Sequence, residues 1–191
     1  MKKILGLVIA FVLAINLFNV TNIGSAATSK GKKIKGVWAE DIKGSIKVTN
    51  ELQIKKVNGE YAPVPAIYYK NKQIWSGKGY IEDNGYVEAI LTPSNEFYLI
   101  YSTHIGAGNS VTLVAVNKSG IVLSKTKFVN QVGLDYGLDL PNKLTIGIER
   151  YNKKWNDSMP YSEQHTGIYD MKDYQLNGGK LKLIKKYVKK Y

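Results

Sequence analysis

The amino-acid sequence predicts an all-β protein: a single antiparallel sandwich or barrel-like meander domain that follows an N-terminal signal peptide. Three observations support this prediction. Short runs of β-branched and aromatic residues recur along the chain. Turn-forming Asn and Gly residues separate these runs about every eight to twelve residues. No stretch has a long helical period. Together they indicate roughly eight to ten strands.

The N-terminus has the three parts of a secretory signal peptide. Two lysines precede an apolar run over residues 4–18, and a small-residue stretch suited to cleavage follows. The run is short for a bilayer span, and a retained N-terminal anchor is the alternative. We therefore divide the chain into a signal peptide at 1–27, a flexible leader at 28–44 and a single β-rich domain at 45–191 with a lysine-rich C-terminal tail.

Composition indicates the compartment and the kind of partner. The chain has a net charge of +12, and removing the two lysines of the signal peptide leaves +10. Cysteine is absent, so neither disulfides nor a lipid-modified cysteine can occur. These features predict a bacterial secreted protein, extracellular or associated with the cell wall, with no transmembrane span after signal cleavage. The excess of positive charge favours polyanionic surroundings.

A period of two predicts the first strand of the domain. Apolar and polar residues alternate over residues 46–55, with Asn50 the one polar residue on the inner side, which describes one strand with a buried and a solvated face. Asn58 and Gly59 then predict a hairpin turn. Pro63 and Pro65 indicate an edge strand or an extended connection, because proline cannot donate a hydrogen bond to a sheet.

The strongest local turn signal is the pair Asn84 and Gly85. Both residues tolerate the positive φ that a two-residue type I′ turn requires, and β-prone segments flank them over residues 80–91. The sequence therefore predicts a hairpin at this position.

Residues 97–128 form the most apolar part of the predicted mature chain, and they predict a meander. Residues 97–103 and 111–116 are predicted strands. Asn117 and Gly120 occupy the first and last positions of the turn between strands, where a type I turn followed by a left-handed glycine prefers these residues. Residues 121–128 would return antiparallel. Such a meander needs another layer to bury its apolar face.

The C-terminal part adds at least two more strands. Alternating apolar residues over 144–148 predict one, and residues 152–167 predict an aromatic-rich loop. Residues 178–179 are a Gly-Gly turn signal, after which alternating lysine and leucine predict a closing strand as far as about Ile184, with the remainder less ordered. A basic interfacial helix is the alternative for this tail.

Residue types argue against most catalytic chemistries. The chain has two histidines, His104 and His165, in no metal-binding spacing, and it lacks the G-x-S-x-G motif. Glu149, Arg150 and His165 could supply a base, a cation and an acid for cleavage of RNA. Because Glu149 and Arg150 are neighbours on a predicted strand, their side chains should face opposite ways. We assign no catalytic residue, metal ligand or cofactor.

Two groups of residues are the candidates for binding. The first consists of aromatic residues near turns, which could stack on a ligand: Trp75, Trp155 and Tyr161. The second consists of the lysines of the tail, which could contact a polyanion: Lys180, Lys182, Lys185, Lys186, Lys189 and Lys190.

The expected function is that of a secreted basic, non-enzymatic protein that associates electrostatically with an anionic cell-wall polymer or an acidic membrane surface. Nucleic acid is not the expected partner. A small secreted hydrolase of nuclease type is one alternative. A secreted protein–protein module, such as an inhibitor or a toxin-like factor with a protein partner, is the other.

Overall fold

The computed structural model describes residues 30–79, 85–105, 108–154, 156 and 158–191. The predicted signal peptide lies outside these residues. Antiparallel strands form most of the described chain: β1 Lys32–Trp38, β2 Ser45–Lys47, β3 Leu52–Asn58, β4 Pro63–Tyr69, β5 Lys72–Ser76, β6 Tyr86–Leu91, β7 Phe97–Ile105, β8 Gly108–Val116, β9 Val122–Asn130, β10 Leu134–Asp139, β11 Lys143–Tyr151, β12 His165–Asn177 and β13 Lys180–Lys190. A 3-10 turn at Ala39–Asp41 and a short helix, α1, at Tyr161–Gln164 complete the described elements.

The strands form three sheets. The central sheet has the order β1-β6-β7-β8-β9, the N-terminal sheet the order β2-β3-β4-β5, and the C-terminal sheet the order β10-β11-β12-β13. Among the described residues none of the three sheets closes on itself. The all-β, antiparallel prediction is confirmed, whereas the barrel-like alternative and the predicted number of strands are wrong.

The central sheet packs against another sheet on each of its two faces. Leu99 belongs to a first core, shared with residues of the N-terminal sheet such as Ile54. Its neighbour Ile100 belongs to a second core, shared with residues of the C-terminal sheet such as Leu144. Successive side chains of a strand point to opposite faces, so β7 supplies both cores in turn. The molecule is therefore a three-layer β structure.

The predicted meander is confirmed as β7, β8 and β9 of the central sheet. Its second turn has the expected chemistry: Gly120 has a φ of +76°, and its N–H donates to the carbonyl oxygen of Asn117 at 3.0 Å. The side-chain oxygen of Asn117 accepts from the N–H groups of Ser119 and Ile121, both at 2.9 Å. This side chain satisfies two backbone donors that the turn leaves without a strand partner.

The N-terminal half differs from the sequence prediction in two places. Residues 28–44 were expected to be a flexible leader, but β1 pairs with β6 from Lys32 onward, and its residue Ile34 is buried in the first core. The single strand predicted over residues 46–55 is a hairpin of β2 and β3. Val48 and Thr49 both donate backbone hydrogen bonds to Leu52 within its turn.

The predicted hairpin at Asn84 and Gly85 stays a prediction, because Asn84 and the whole preceding arm, residues 80–83, lie outside the described residues. The returning arm is β6, and Tyr86 at its start is already paired with Trp38 of β1 on one side and Ser102 of β7 on the other. β6 is thus an interior strand of the central sheet, with β1 on one side and β7 on the other.

The C-terminal tail is more regular than predicted, because β13 continues to Lys190 along β12 instead of ending near Ile184. The C-terminal sheet also curls around its outer face. Asp135 of β10 and Lys189 of β13 are on the two edge strands of the sheet, with β11 and β12 between them, yet Asp135 Oδ2 lies 3.5 Å from Lys189 Nζ. This curl buries Met171 on the outer face.

The helices of the described chain are all too short to cross a bilayer.

Candidate functional site

A polar cleft lies beside the N-terminal sheet, on the face of the central sheet that this smaller sheet covers only in part. Its volume is about 580 Å³. One wall comes from β5 and the segment after it, and the other from β7, β8 and β9. The side chains that give the cleft its character are Trp75, Lys78, Tyr101, Thr103, Ser110, Thr112, Lys125 and Lys127. We call this feature the lysine cleft.

The strand register explains why two lysines of β9 face the cleft. Lys125 is paired with Val114 and Lys127 with Thr112 in the β8–β9 ladder. Val114 belongs to the first core. Directly opposed residues of an antiparallel pair share a face, so both lysines lie on the first-core face of the central sheet. They are exposed because the N-terminal sheet does not extend over β9 at this point.

Tyr101 fixes the opposite rim of the cleft. Its hydroxyl donates to the carbonyl oxygen of Lys78 at 3.2 Å. Its ring runs so close to Gly77 and Gly85 that a Cβ on either residue would overlap it, which is why both positions suit glycine. Trp75 packs against Tyr101 edge to face, with ring centroids 6.2 Å apart. The backbone that carries Lys78 is thereby held against the first core.

Among the described residues, no carboxylate compensates the charges in the lysine cleft. In the described part of the chain, Lys78, Lys125 and Lys127 form no ion pair with an acidic side chain. The cleft also contains two buried hydroxyl groups, those of Thr103 and Ser110. Ammonium groups donate charge-assisted hydrogen bonds, and hydroxyls add neutral ones. This combination suits an anionic ligand.

The tail lysines that the sequence predicted as binding residues lie on an edge strand, and they divide between its two faces. An irregularity in the β12–β13 register after Leu183 changes the face on which later residues appear. As a result, four of the lysines face the curled outer side: Lys180, Lys182, Lys185 and Lys189. The other two, Lys186 and Lys190, face the opposite side. Lys189 is paired with Asp135. The six lysines are exposed but do not form one site.

The three aromatic candidates do not come together either. Trp75 lines the lysine cleft, but the residue is only 8% exposed and belongs to the first core. Tyr161 begins α1, next to the C-terminal sheet. Trp155 lies outside the described residues. Trp75 and the tail lysines are on sheets that pack on opposite faces of the central sheet.

Two members of the hypothetical catalytic trio do meet. His165 Nδ1 lies 2.9 Å from Glu149 Oε2. The Glu149 carboxylate also accepts from the backbone N–H of Gly167 at 2.8 Å and from the Tyr169 hydroxyl at 3.1 Å. Arg150 points to the other face, as expected for a neighbour on a strand, and forms a bidentate pair with Asp170.

The surroundings of Glu149 indicate a structural role. Its side chain is 1% exposed. Burial by itself raises the pKa of the carboxyl, but the hydrogen bonds from His165, Gly167 and Tyr169 outweigh it and hold the pKa below its usual value. An ionised carboxylate that already accepts three hydrogen bonds is a poor general base. The group instead fastens the start of β12 to β11.

Sequence reasoning missed Lys78, Lys125 and Lys127. The sequence held a signal for two of them: Lys125 and Lys127 are two positions apart, so on a strand they face the same side. The structure agrees, since residues 123–129 alternate between exposed and partly buried positions and both lysines are exposed. The sequence shows that the two share a side but not which sheet covers it. For Lys78 we find no sequence signal, since the cleft places it through a contact with Tyr101, which is 23 residues away in the chain.

Comparison with known proteins finds no matching family model, no matching curated protein and no matching solved structure. No cluster of potential metal ligands occurs among the described residues.

Proposed function

We propose that this protein is a secreted, non-enzymatic protein that binds an anionic polymer of the cell surface, and that the lysine cleft holds a segment of that polymer. The observation that carries the proposal is the grouping of Lys78, Lys125 and Lys127 around buried hydroxyls, with no carboxylate paired to them in the described chain.

The arrangement favours a polymer over a small anion. Lys125 and Lys127 are two residues apart on one strand, so their Cα atoms are separated by about 7 Å along the edge of the sheet. A row of cations at a regular interval matches a chain with repeated negative groups. The exposed lysines of β13 add positive charge elsewhere on the surface, which raises the rate of encounter with any polyanion.

Binding of this kind has a characteristic dependence on salt. Each ammonium group that contacts the polymer releases a condensed counterion, so the logarithm of the association constant falls linearly with the logarithm of the salt concentration. Removing one contacting lysine should reduce the slope by about 1 for a densely charged polymer.

The test compares two triple variants of equal charge. The first carries Lys78→Gln, Lys125→Gln and Lys127→Gln, and the second carries Lys43→Gln, Lys118→Gln and Lys153→Gln at exposed positions outside the cleft. Binding to poly(glycerol phosphate) and to poly-glutamate is measured over a salt series. We expect the cleft variant to bind roughly tenfold more weakly at low salt and to have a shallower slope.

The comparison separates a site from bulk charge. If the affinity and the salt slope fall by the same amounts in both triple variants, the net charge alone is responsible for binding and the lysine cleft is not the site. A third variant with Lys182→Gln, Lys186→Gln and Lys190→Gln measures the share of β13. If only this third variant loses binding, the tail binds the polymer and the cleft does not.

A further inference from the structure

An aromatic pocket opens on the other face of the central sheet, at the same end of β7 as the lysine cleft. Its volume is about 370 Å³, within the usual range for small-ligand sites. Tyr101 and Thr103 of β7 face the lysine cleft, and the alternate residues Ser102 and His104 face this pocket. Tyr136 of β10 closes it from the C-terminal sheet.

An exposed tryptophan forms one wall of the aromatic pocket. Trp38 is the last residue of β1 and is 47% exposed. It is paired with Tyr86 of β6, and the two rings meet edge to face with centroids 5.2 Å apart and planes at 71°. The Tyr86 hydroxyl passes directly over Gly36, where any side chain would overlap it. Both rings are therefore held in position before a ligand arrives.

This preorganisation matters for binding. About half of Trp38 remains exposed, and covering an exposed aromatic ring with a flat apolar surface is favourable. Because Tyr86 and the glycine beneath it already fix the ring, a ligand that stacks on Trp38 does not have to immobilise it, and that lowers the entropic cost of binding.

The remaining walls supply uncharged hydrogen-bonding groups. The Asn109 side chain is oriented by donating to the carbonyl oxygen of Val132 at 3.3 Å. Burial raises the pKa of the Tyr136 hydroxyl, which keeps it protonated as a donor. Together with Ser102 and His104, these groups can both donate and accept hydrogen bonds. No lysine, arginine or carboxylate lines the described walls of the pocket.

We propose that the aromatic pocket is a saccharide-binding site, in which a sugar ring stacks on Trp38 and its hydroxyls are hydrogen-bonded by Ser102, His104, Asn109 and Tyr136. A pyranose has an apolar face of C–H groups and a rim of hydroxyls that both donate and accept, which is the complement of this pocket. The ligand is neutral where it contacts the pocket, so the site is distinct in chemistry from the lysine cleft.

The test uses the complete mature protein and three neutral probes: chitotriose, cellotriose and maltotriose. Binding is followed by intrinsic tryptophan fluorescence and by titration calorimetry. We expect at least one probe to bind. Trp38→Ala should weaken the binding of that probe about tenfold, and Trp38→Tyr should retain part of the affinity because an aromatic surface remains. Tyr61→Ala, which removes an exposed ring elsewhere, should have no effect.

Two results would overturn the proposal: no binding of any of the three probes up to their solubility, or equal affinity of Trp38→Ala and the unaltered protein. Trp38 is half exposed, so its variants should fold, and thermal unfolding checks this directly. The triple lysine variant of the cleft should keep its saccharide affinity. The two proposals can thus fail independently.

Discussion

The three-layer arrangement makes a quantitative prediction about two neighbouring residues of β7. Leu99 and Ile100 are adjacent in the chain, both are fully buried, and they lie in different cores. In a sandwich of two sheets, one of two adjacent strand residues faces solvent, and its truncation costs little. Here Leu99→Ala and Ile100→Ala should both be strongly destabilising.

The expected magnitude follows from the atoms removed. Each substitution deletes three carbon atoms from a fully buried side chain, and at about 0.8 kcal/mol for each the transfer contribution is about 2.4 kcal/mol. The cavity left between two packed sheets adds to this loss. We therefore expect the free energy of unfolding to fall by about 3–4 kcal/mol in each variant, within the range known for such truncations.

Equilibrium unfolding in urea tests this prediction: the urea concentration at the midpoint should fall, while the m-value, the dependence of the unfolding free energy on urea, stays unchanged. Leu123→Ala on the edge strand β9 is the matched control, since that side chain is 39% exposed and should lose far less. If either alanine variant does not fold, Leu99→Val and Ile100→Val provide a milder pair. A loss below about 0.5 kcal/mol in only one alanine variant would mean that β7 has a solvent face, and would refute the three-layer reasoning.

Two further predictions concern single contacts. Glu149→Gln should lower the unfolding free energy by about 2–3 kcal/mol at neutral pH, because three donors converge on the carboxylate. Since the pKa of the folded-state carboxyl is lowered, this stabilisation is present above the unfolded pKa and is lost as the pH falls through the folded pKa, so the two unfolding curves should converge in acid. Parallel pH profiles would contradict this account, and Arg150→Gln, in an exposed pair, is the control. Gly120→Ala should cost about 2–4 kcal/mol in thermal unfolding, because φ is positive and the new Cβ overlaps the ring of Tyr69. Gly137→Ala, with open space around its Cα, should be nearly neutral, and equal losses in the two glycine variants would show that the turn geometry is not the cause.

Local structure in the second half of the chain was predictable because short-range chemistry decides it. The turn after β8 needs a side-chain acceptor at Asn117 and a left-handed residue at Gly120, and both are visible in the sequence. The strand over β11 was visible as a period of two. Prediction failed at residues 46–55, where a period of two broken only at Asn50 hid a turn: alternation does not require that a strand continue in one direction.

The candidate site was predictable only in part. The sequence pointed to positive charge and to Trp75, and the structure places Trp75 in the lysine cleft. It could not identify Lys125 and Lys127 as partners of Lys78, because these residues meet through the packing of two different sheets. Similarly, Trp38 fell within the predicted flexible leader, so the aromatic pocket had no counterpart in the sequence.

The stretch of residues 97–128 shows where the two kinds of information divide. Its sequence by itself determined a meander: the β-forming runs, the turn chemistry and the order of the three strands all follow from neighbours along the chain. Only the tertiary structure decided that both faces of this meander are covered, and where that cover stops. A continuous apolar run is compatible with burial on one face or two, and an exposed lysine on an edge strand becomes part of a site only where a second sheet ends beside it.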